Sequence, residues 1–212
     1  MYSRLKICGI TNLDDALIVL EIGAHWLGFN FYPESPRYVD PVVAAKIIEE
    51  VKGLVECVGI LVRPTLKQAI DIIKKTDVDR LQIYQPQDFD DLSKLDIPTV
   101  IAYQVDPDRK VNYDFMGAEM ILLDSYSKNL PGGTGKAFNW ALIPENTPKE
   151  KLVLAGGITA ENIGEALRKV NPAVIDVASG SEKSPGIKDY EKIKKIMAEL
   201  HLYNHEQTKN ES

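Results

Sequence analysis

Short apolar runs recur along the chain roughly every 20–30 residues, with helical periodicity between most of them, the pattern of βα units around a parallel sheet. The runs predict strands at Leu5–Cys8, Trp26–Phe31, Val55–Val62, Arg80–Tyr84, Thr99–Gln104, Met120–Asp124, Leu152–Ala155 and Val174–Ala178. Between them the chain predicts helices from Asn12 to Ile22 and from Pro41 to Val51. Others run from after Pro64 to about Lys75, over Phe89–Leu95, near Trp140–Ile143, over Glu161–Lys169 and over Lys188–Leu200. Asn12 and Asp40 are the expected N-caps, with Pro41 at the first helical position. The stretch from Asp106 to Met116 is ambiguous, and Ser125–Asn139 reads as a Gly-rich loop. Eight such units fit a single-domain (β/α)8 barrel over residues 1–200. A doubly wound open sheet is the alternative, but even spacing of parallel strands favours closure. Residues 201–212 are polar and are expected to fray.

Strand side chains alternate between the barrel interior and the helical layer. Leu5 and Ile7, Leu81 and Ile83, and Ile175 and Val177 are the apolar partners for helices. Lys6, Cys8, Gln82, Tyr84 and Asp176 then point inward, and Asp124 shares a face with Leu122. Barrel interiors are normally filled by branched apolar residues, and a buried charge is costly unless paired. The first and eighth strands of a closed barrel are neighbours, so a Lys6–Asp176 ion pair is expected.

The chain has 212 residues, a formal net charge of −6 and 44% hydrophobic content, ordinary values for one globular core. The acidic balance argues against a nucleic-acid surface. No run of 18 apolar residues predicts a membrane span, and Met1–Leu5 lacks the apolar core of a signal peptide. The two cysteines, Cys8 and Cys57, point to a reduced, cytoplasmic setting rather than a disulfide.

Candidate chemistry gathers at the strand ends. Cys8 closes the first strand and Asp124 the sixth, so a thiolate and a carboxylic acid can meet at one rim as a base–acid pair. Cys8 alone is also compatible with a small buried hydrophobe; Cys57, mid-strand, reads as core packing. Gly156-Gly157 and Ser179-Gly180 follow strands seven and eight, where barrels of this class build phosphate sites. Glycine there also permits a tight turn. Gly132-Gly133-Thr134-Gly135-Lys136 fails the P-loop spacing and reads instead as a lid. Arg37, after the second strand, is a carboxylate clamp or a surface arginine.

Several stretches together resemble the phosphoribosylanthranilate isomerases of tryptophan biosynthesis. They are Lys6-Ile7-Cys8-Gly9-Ile10-Thr11, Gly28–Pro33 with Ser35 and Arg37, Leu122-Leu123-Asp124, Gly132–Lys136 with Phe138 and Trp140, Ala155–Ile158 with Asn162, and Asp176–Gly180 with Pro185-Gly186. The resemblance covers Lys6 to about Lys195. It implies an Amadori rearrangement of a phosphorylated sugar–anthranilate substrate, with no metal or organic cofactor. Asp124 would be the general acid and Cys8 the general base. Arg37, Gln82, Gly133 and Asp176 would bind substrate, and Gly156, Gly157, Ser179 and Gly180 its phosphate. Burial should raise the Asp124 pKa, and Lys6 should favour the Cys8 thiolate. Relatives occur as monomers and homodimers. The chain departs from the family pattern at Tyr84-Gln85, where His-Gly is usual, at Ala102, where an inward lysine is usual, and at Arg63, where Asn is usual. Another phosphosugar-isomerase barrel and a non-catalytic phosphate-ligand binding protein are the competing readings.

Overall fold

The structure is a computed structural model that describes residues 2–88, 90–106, 111–125 and 138–210. Eight parallel strands close into a barrel in chain order: β1 (Arg4–Cys8), β2 (Trp26–Asn30), β3 (Glu56–Val62), β4 (Arg80–Tyr84), β5 (Thr99–Val105), β6 (Met120–Ser125), β7 (Leu152–Leu154) and β8 (Val174–Val177). The closing seam pairs β1 with β8 and places Lys6 opposite Asp176. Helices α1 (Leu13–Ile22), α2 (Pro41–Val51), α3 (Leu66–Thr76) and α4 (Ile163–Val170) follow β1, β2, β3 and β7. After β8 come a hairpin, β9 (Glu182–Ser184) and β10 (Ile187–Lys188), and the long helix α5 (Tyr190–Asn210).

The caps explain where helices start. The Asn12 side chain accepts from Asp15 N–H, Asp40 accepts from Val42 N–H with Pro41 behind it, and Thr65 with Gln68 forms a capping box. Among the described residues between β4 and β5, the helix expected at Phe89–Leu95 is reduced to a 3₁₀ turn at Leu92–Lys94. Between β6 and β7 there are 3₁₀ turns at Trp140–Leu142 and Lys149–Lys151. Among the described residues, the β5–β6 connection carries no helix.

Two expectations are corrected. The last helix starts at Tyr190, because Lys188 is committed to β10 and the chain turns through Gly186 at φ 81°. The tail does not fray at residue 201: α5 continues to Asn210. Its apolar spacing of Ile193, Ile196, Met197 and Leu200 extends to Tyr203 and Asn204, both buried. Asn204 exchanges two 2.9 Å hydrogen bonds with the Ser3 backbone, and the Tyr203 hydroxyl bonds Asn171 Oδ1.

The barrel wall separates two apolar clusters. The larger lies between strands and helices and contains Leu5, Ile7, Leu81, Ile83, Ile175 and Val177, as the alternation requires. The smaller fills the lumen and contains Val58, Ile60, Tyr84, Val100, Ala102, Leu122 and Val174. Trp26 plugs the lumen's N-terminal end, with the Arg4 and Arg80 guanidinium groups 5.3 and 4.7 Å from its ring. Cys57 is buried in the outer cluster and both thiols are free. Among the described residues, no helix is long and apolar enough to cross a membrane. Truncating Tyr203 to Ala should lower unfolding free energy by about 3–5 kcal/mol, read as a fall in the denaturant midpoint at unchanged slope.

Candidate active site

The C-terminal ends of the strands form one cavity, lined by Cys8, Arg37, Gln82, Tyr84, Asp124, Gly156, Gly157, Asp176 and Ser179 among others. Cys8 and Asp124, 116 positions apart by their numbers, therefore open onto the same space. Gly180 stands just behind it. A Cβ there would lie 2.0 Å from the Ile158 carbonyl oxygen, so this glycine lets the loop after β8 lie on the loop after β7. Gly156 has φ +87°, and a Cβ on it would meet Ser125 N at 2.3 Å. The Asn162 side chain holds the β7 loop from behind, donating to Gly157 O and accepting from Thr159 N–H, both at 2.8 Å. Ser179 and Gly180 open a helical turn whose first N–H groups have no acceptor within it. Gly133 and the rest of Gly132–Lys136 lie outside the described residues.

The expected ion pair is present. Lys6 Nζ lies 2.7 Å from Asp176 Oδ2 with no solvent exposure of its side chain. Burial alone would lower the Lys6 pKa, but the charge of Asp176 and its hydrogen bond hold it above the ordinary lysine value. Lys6 also donates to Gln82 Oε1 at 2.8 Å, Gln82 Nε2 donates to the Tyr84 hydroxyl at 3.2 Å, and that hydroxyl donates to Asp124 Oδ2 at 3.2 Å. Gln82, expected at the substrate, is thus bonded on both its oxygen and its nitrogen to protein. Asp124 Oδ1 and Asp176 Oδ1 are buried, with no hydrogen-bond partner among the described residues.

Burial, then the negative charge of Asp176, pushes the Asp124 pKa up to about 7; Tyr84, the Ser125 N–H and Lys6 only partly offset this. Lys6 favours the Cys8 thiolate, as expected, but does not decide the balance. Lys6, Lys188 and Arg37 each favour the thiolate, but burial outweighs them and Asp176 adds to it, so the thiol sits above its ordinary value.

Arg37 is neither a surface arginine nor wholly available to a ligand. Its Nε and Nη2 grip Glu182 at 2.7–3.0 Å. Of a guanidinium's five N–H donors, those on Nη1 and the second on Nη2 form an outer edge, still suited to a carboxylate. Glu182 also accepts from the fully buried Lys188 at 3.0 Å, and Lys188 donates to the Cys8 carbonyl at 2.6 Å. The hairpin β9–β10 therefore ties Arg37 and Cys8 together. Sequence reasoning missed Glu182 and Lys188; the Ser184-Pro185-Gly186 turn signal was the available clue. It also missed Gln104, whose buried Nε2 has no partner among the described residues and which pairs in register with Asp124. Among the described residues, no group of three His, Cys, Asp or Glu side chains could hold a metal ion.

The raised Asp124 pKa carries a stability consequence. The folded protein holds that proton more tightly than the unfolded chain, so stability present below about pH 4 is lost as pH rises toward 7. Asp124→Asn should therefore exceed the wild type by something on the order of 4 kcal/mol above pH 7, with the gap closing below pH 4 in denaturant titrations.

The family model for N-(5'-phosphoribosyl)anthranilate (PRA) isomerase matches residues 5–199. An N-(5'-phosphoribosyl)anthranilate isomerase of Pseudomonas putida (strain GB-1) is 40% identical over 199 residues, covering 92% of this chain and 96% of its own. The crystal structure of phosphoribosyl anthranilate isomerase from Thermus thermophilus superposes with a TM-score of 0.83 at 29% identity, covering 94% of this chain and 98% of its own. A second structure (TM-score 0.74, 31% identity, 94% and 98% coverage) is a phosphoribosyl anthranilate isomerase in complex with reduced 1-(o-carboxyphenylamino)-1-deoxyribulose 5-phosphate. With the match extending over nearly all of the barrel, this chain belongs to the N-(5'-phosphoribosyl)anthranilate isomerase family.

Proposed function

We propose that this chain isomerises N-(5'-phosphoribosyl)anthranilate to 1-(2-carboxyphenylamino)-1-deoxyribulose 5-phosphate in tryptophan biosynthesis, with Asp124 as general acid and Cys8 as general base. The observation that carries the assignment is that both residues line one cavity, together with Arg37 and the glycine loops after β7 and β8. The N–H-rich loops at Gly156, Gly157, Ser179 and Gly180 suit the phosphate. The outer edge of Arg37 suits the anthranilate carboxylate, and the two proton-transfer groups lie between these ends.

The steps balance internally. Asp124 gives its proton to the ribose ring oxygen as the C1–O bond breaks, while the nitrogen lone pair forms the C1=N bond of a Schiff base. Cys8 thiolate takes the C2 proton; the C2–H pair becomes the C1=C2 bond, and the C=N pair returns to nitrogen. The enolamine then becomes the ketone by moving the C2 hydroxyl proton to C1, and the proton taken by Cys8 is returned to Asp124 through solvent, restoring both groups. A carboxyl raised to about 7 is still partly protonated near neutrality, which a general acid needs. A raised thiol is scarcer as thiolate but more basic once formed. A working thiol also needs a reducing compartment such as the cytoplasm.

Anthranilate-fluorescence assays with purified protein test the reading. Asp124→Asn and Cys8→Ser should each lose on the order of 10²–10⁴ in kcat; near-wild-type turnover in either would remove that residue from its role. An inert wild type that still binds the phosphosugar would favour the binding-protein alternative. Arg37→Lys should raise KM roughly 10–100-fold through loss of fork geometry, with kcat changed less. Because the active form pairs protonated Asp124 with ionised Cys8, kcat/KM should rise to a break near pH 7, run flat, and fall above the raised thiol value. The break near 7 should vanish in whatever residual activity Asp124→Asn retains.

A further inference from the structure

The lumen carries a single-file chain of hydrogen bonds from β8 to β6: Asp176, Lys6, Gln82, Tyr84, Asp124. Its direction follows from donor and acceptor chemistry. An ammonium only donates, so the Gln82 group facing Lys6 is the amide oxygen. The amide nitrogen then faces Tyr84 and donates to its hydroxyl oxygen. With that lone pair engaged, the Tyr84 proton points along the remaining contact, to Asp124 Oδ2. Oδ2 is thereby the accepting, carbonyl oxygen of the neutral acid, because the hydroxyl oxygen of a carboxylic acid is the poorer acceptor. The acidic proton is left on Oδ1, the oxygen without a hydrogen-bond partner among the described residues.

We infer that the Lys6–Asp176 ion pair sets the polarity of this chain, and that Tyr84 is a positioning residue that keeps the transferable proton of Asp124 on Oδ1. The inference rests on the reading of Asp124 as the general acid. It also assigns Gln82 to relaying the orientation imposed by Lys6, in place of direct contact with substrate. The charged and titratable groups facing Asp124 in this arrangement are Asp176 from β8, Lys6 from β1 and Tyr84 from β4.

Infrared difference spectroscopy near pH 5 tests the geometry independently of turnover. The protonated Asp124 carbonyl band, identified by its loss in Asp124→Asn, should move to higher wavenumber in Tyr84→Phe, because Oδ2 loses its donor. A band that stays in place overturns the inference. In kinetics, Tyr84→Phe should lose roughly five- to tenfold in kcat with little change in KM, and the break near pH 7 should move upward. Gln82→Glu supplies an acceptor where the amide donated, so the Tyr84 hydroxyl should turn to it and release Asp124. Adding Tyr84→Phe to Gln82→Glu should then cost nothing further. Additive losses in that double-variant cycle, or a shifted band with unchanged rate in Tyr84→Phe, overturn the positioning role while leaving the proposed chemistry intact. Full activity in Asp124→Asn overturns the proposed chemistry and this role with it, and is seen separately from the band shift.

Discussion

A lysine ammonium with no solvent exposure, held inside a barrel, must be neutralised where it stands, and Asp176 across the β1–β8 seam does this at 2.7 Å. The pairing depends on closure, since only a closed barrel makes the first and last strands neighbours. Once the charge is fixed, the polar side chains beside it lose their freedom. Gln82 has one orientation, Tyr84 has one remaining direction in which to donate, and Asp124 has one oxygen left over. A lumen filled only with branched apolar residues would remove the desolvation cost and would also leave Asp124 without a defined orientation.

The same ion pair shapes the electrostatics at both ends of the site, with opposite results. Asp176 pushes Asp124 toward its neutral form and also pushes against ionisation of Cys8, while Lys6 pulls both the other way. Burial decides the balance in each case. For a general acid the outcome is favourable. For a thiol it makes the thiolate rare, and the cations placed around Cys8 limit that scarcity without abolishing it. Lys188 bonds the Cys8 carbonyl, and Arg37 lies near enough to favour the thiolate. Glu182 holds both cations in place, which links the anthranilate end of the proposed site to the base.

The parts of this arrangement that alternate along a strand were legible in the sequence. Period-two patterning put Lys6, Gln82, Tyr84 and Asp176 inside and Leu5, Ile7, Leu81 and Ile83 outside, and the two apolar clusters divide in the same way. The Lys6–Asp176 pair followed from alternation plus closure. The parts set by loops were not legible. Glu182 meets Arg37 across 145 sequence positions, and Lys188 meets the Cys8 carbonyl across 180, through a hairpin of two very short strands, too brief for any periodicity to register. Orphaned groups such as Gln104 Nε2 arise from three-dimensional bookkeeping alone. The tail was misjudged because composition was read in place of spacing: Tyr203 and Asn204 continue the buried stripe of α5 inside a polar segment.

The departures from the family pattern look like separate losses along the chain, but in space they form two physical events. Tyr84 and Ala102 are register partners on β4 and β5 and belong to the same inner cluster. Tyr84 supplies a hydroxyl that reaches Asp124. Arg63 and Gln85 form the second event. Both sit in left-handed backbone, at φ 50° and 49°, where Asn and Gly are the low-cost residues. The chain accepts that strain at the rim directly flanking Tyr84, and Arg63 N–H donates to the Tyr84 carbonyl at 2.8 Å. The left-handed turns at Arg63 and Gln85 thus fix the backbone from which the Tyr84 hydroxyl reaches Asp124.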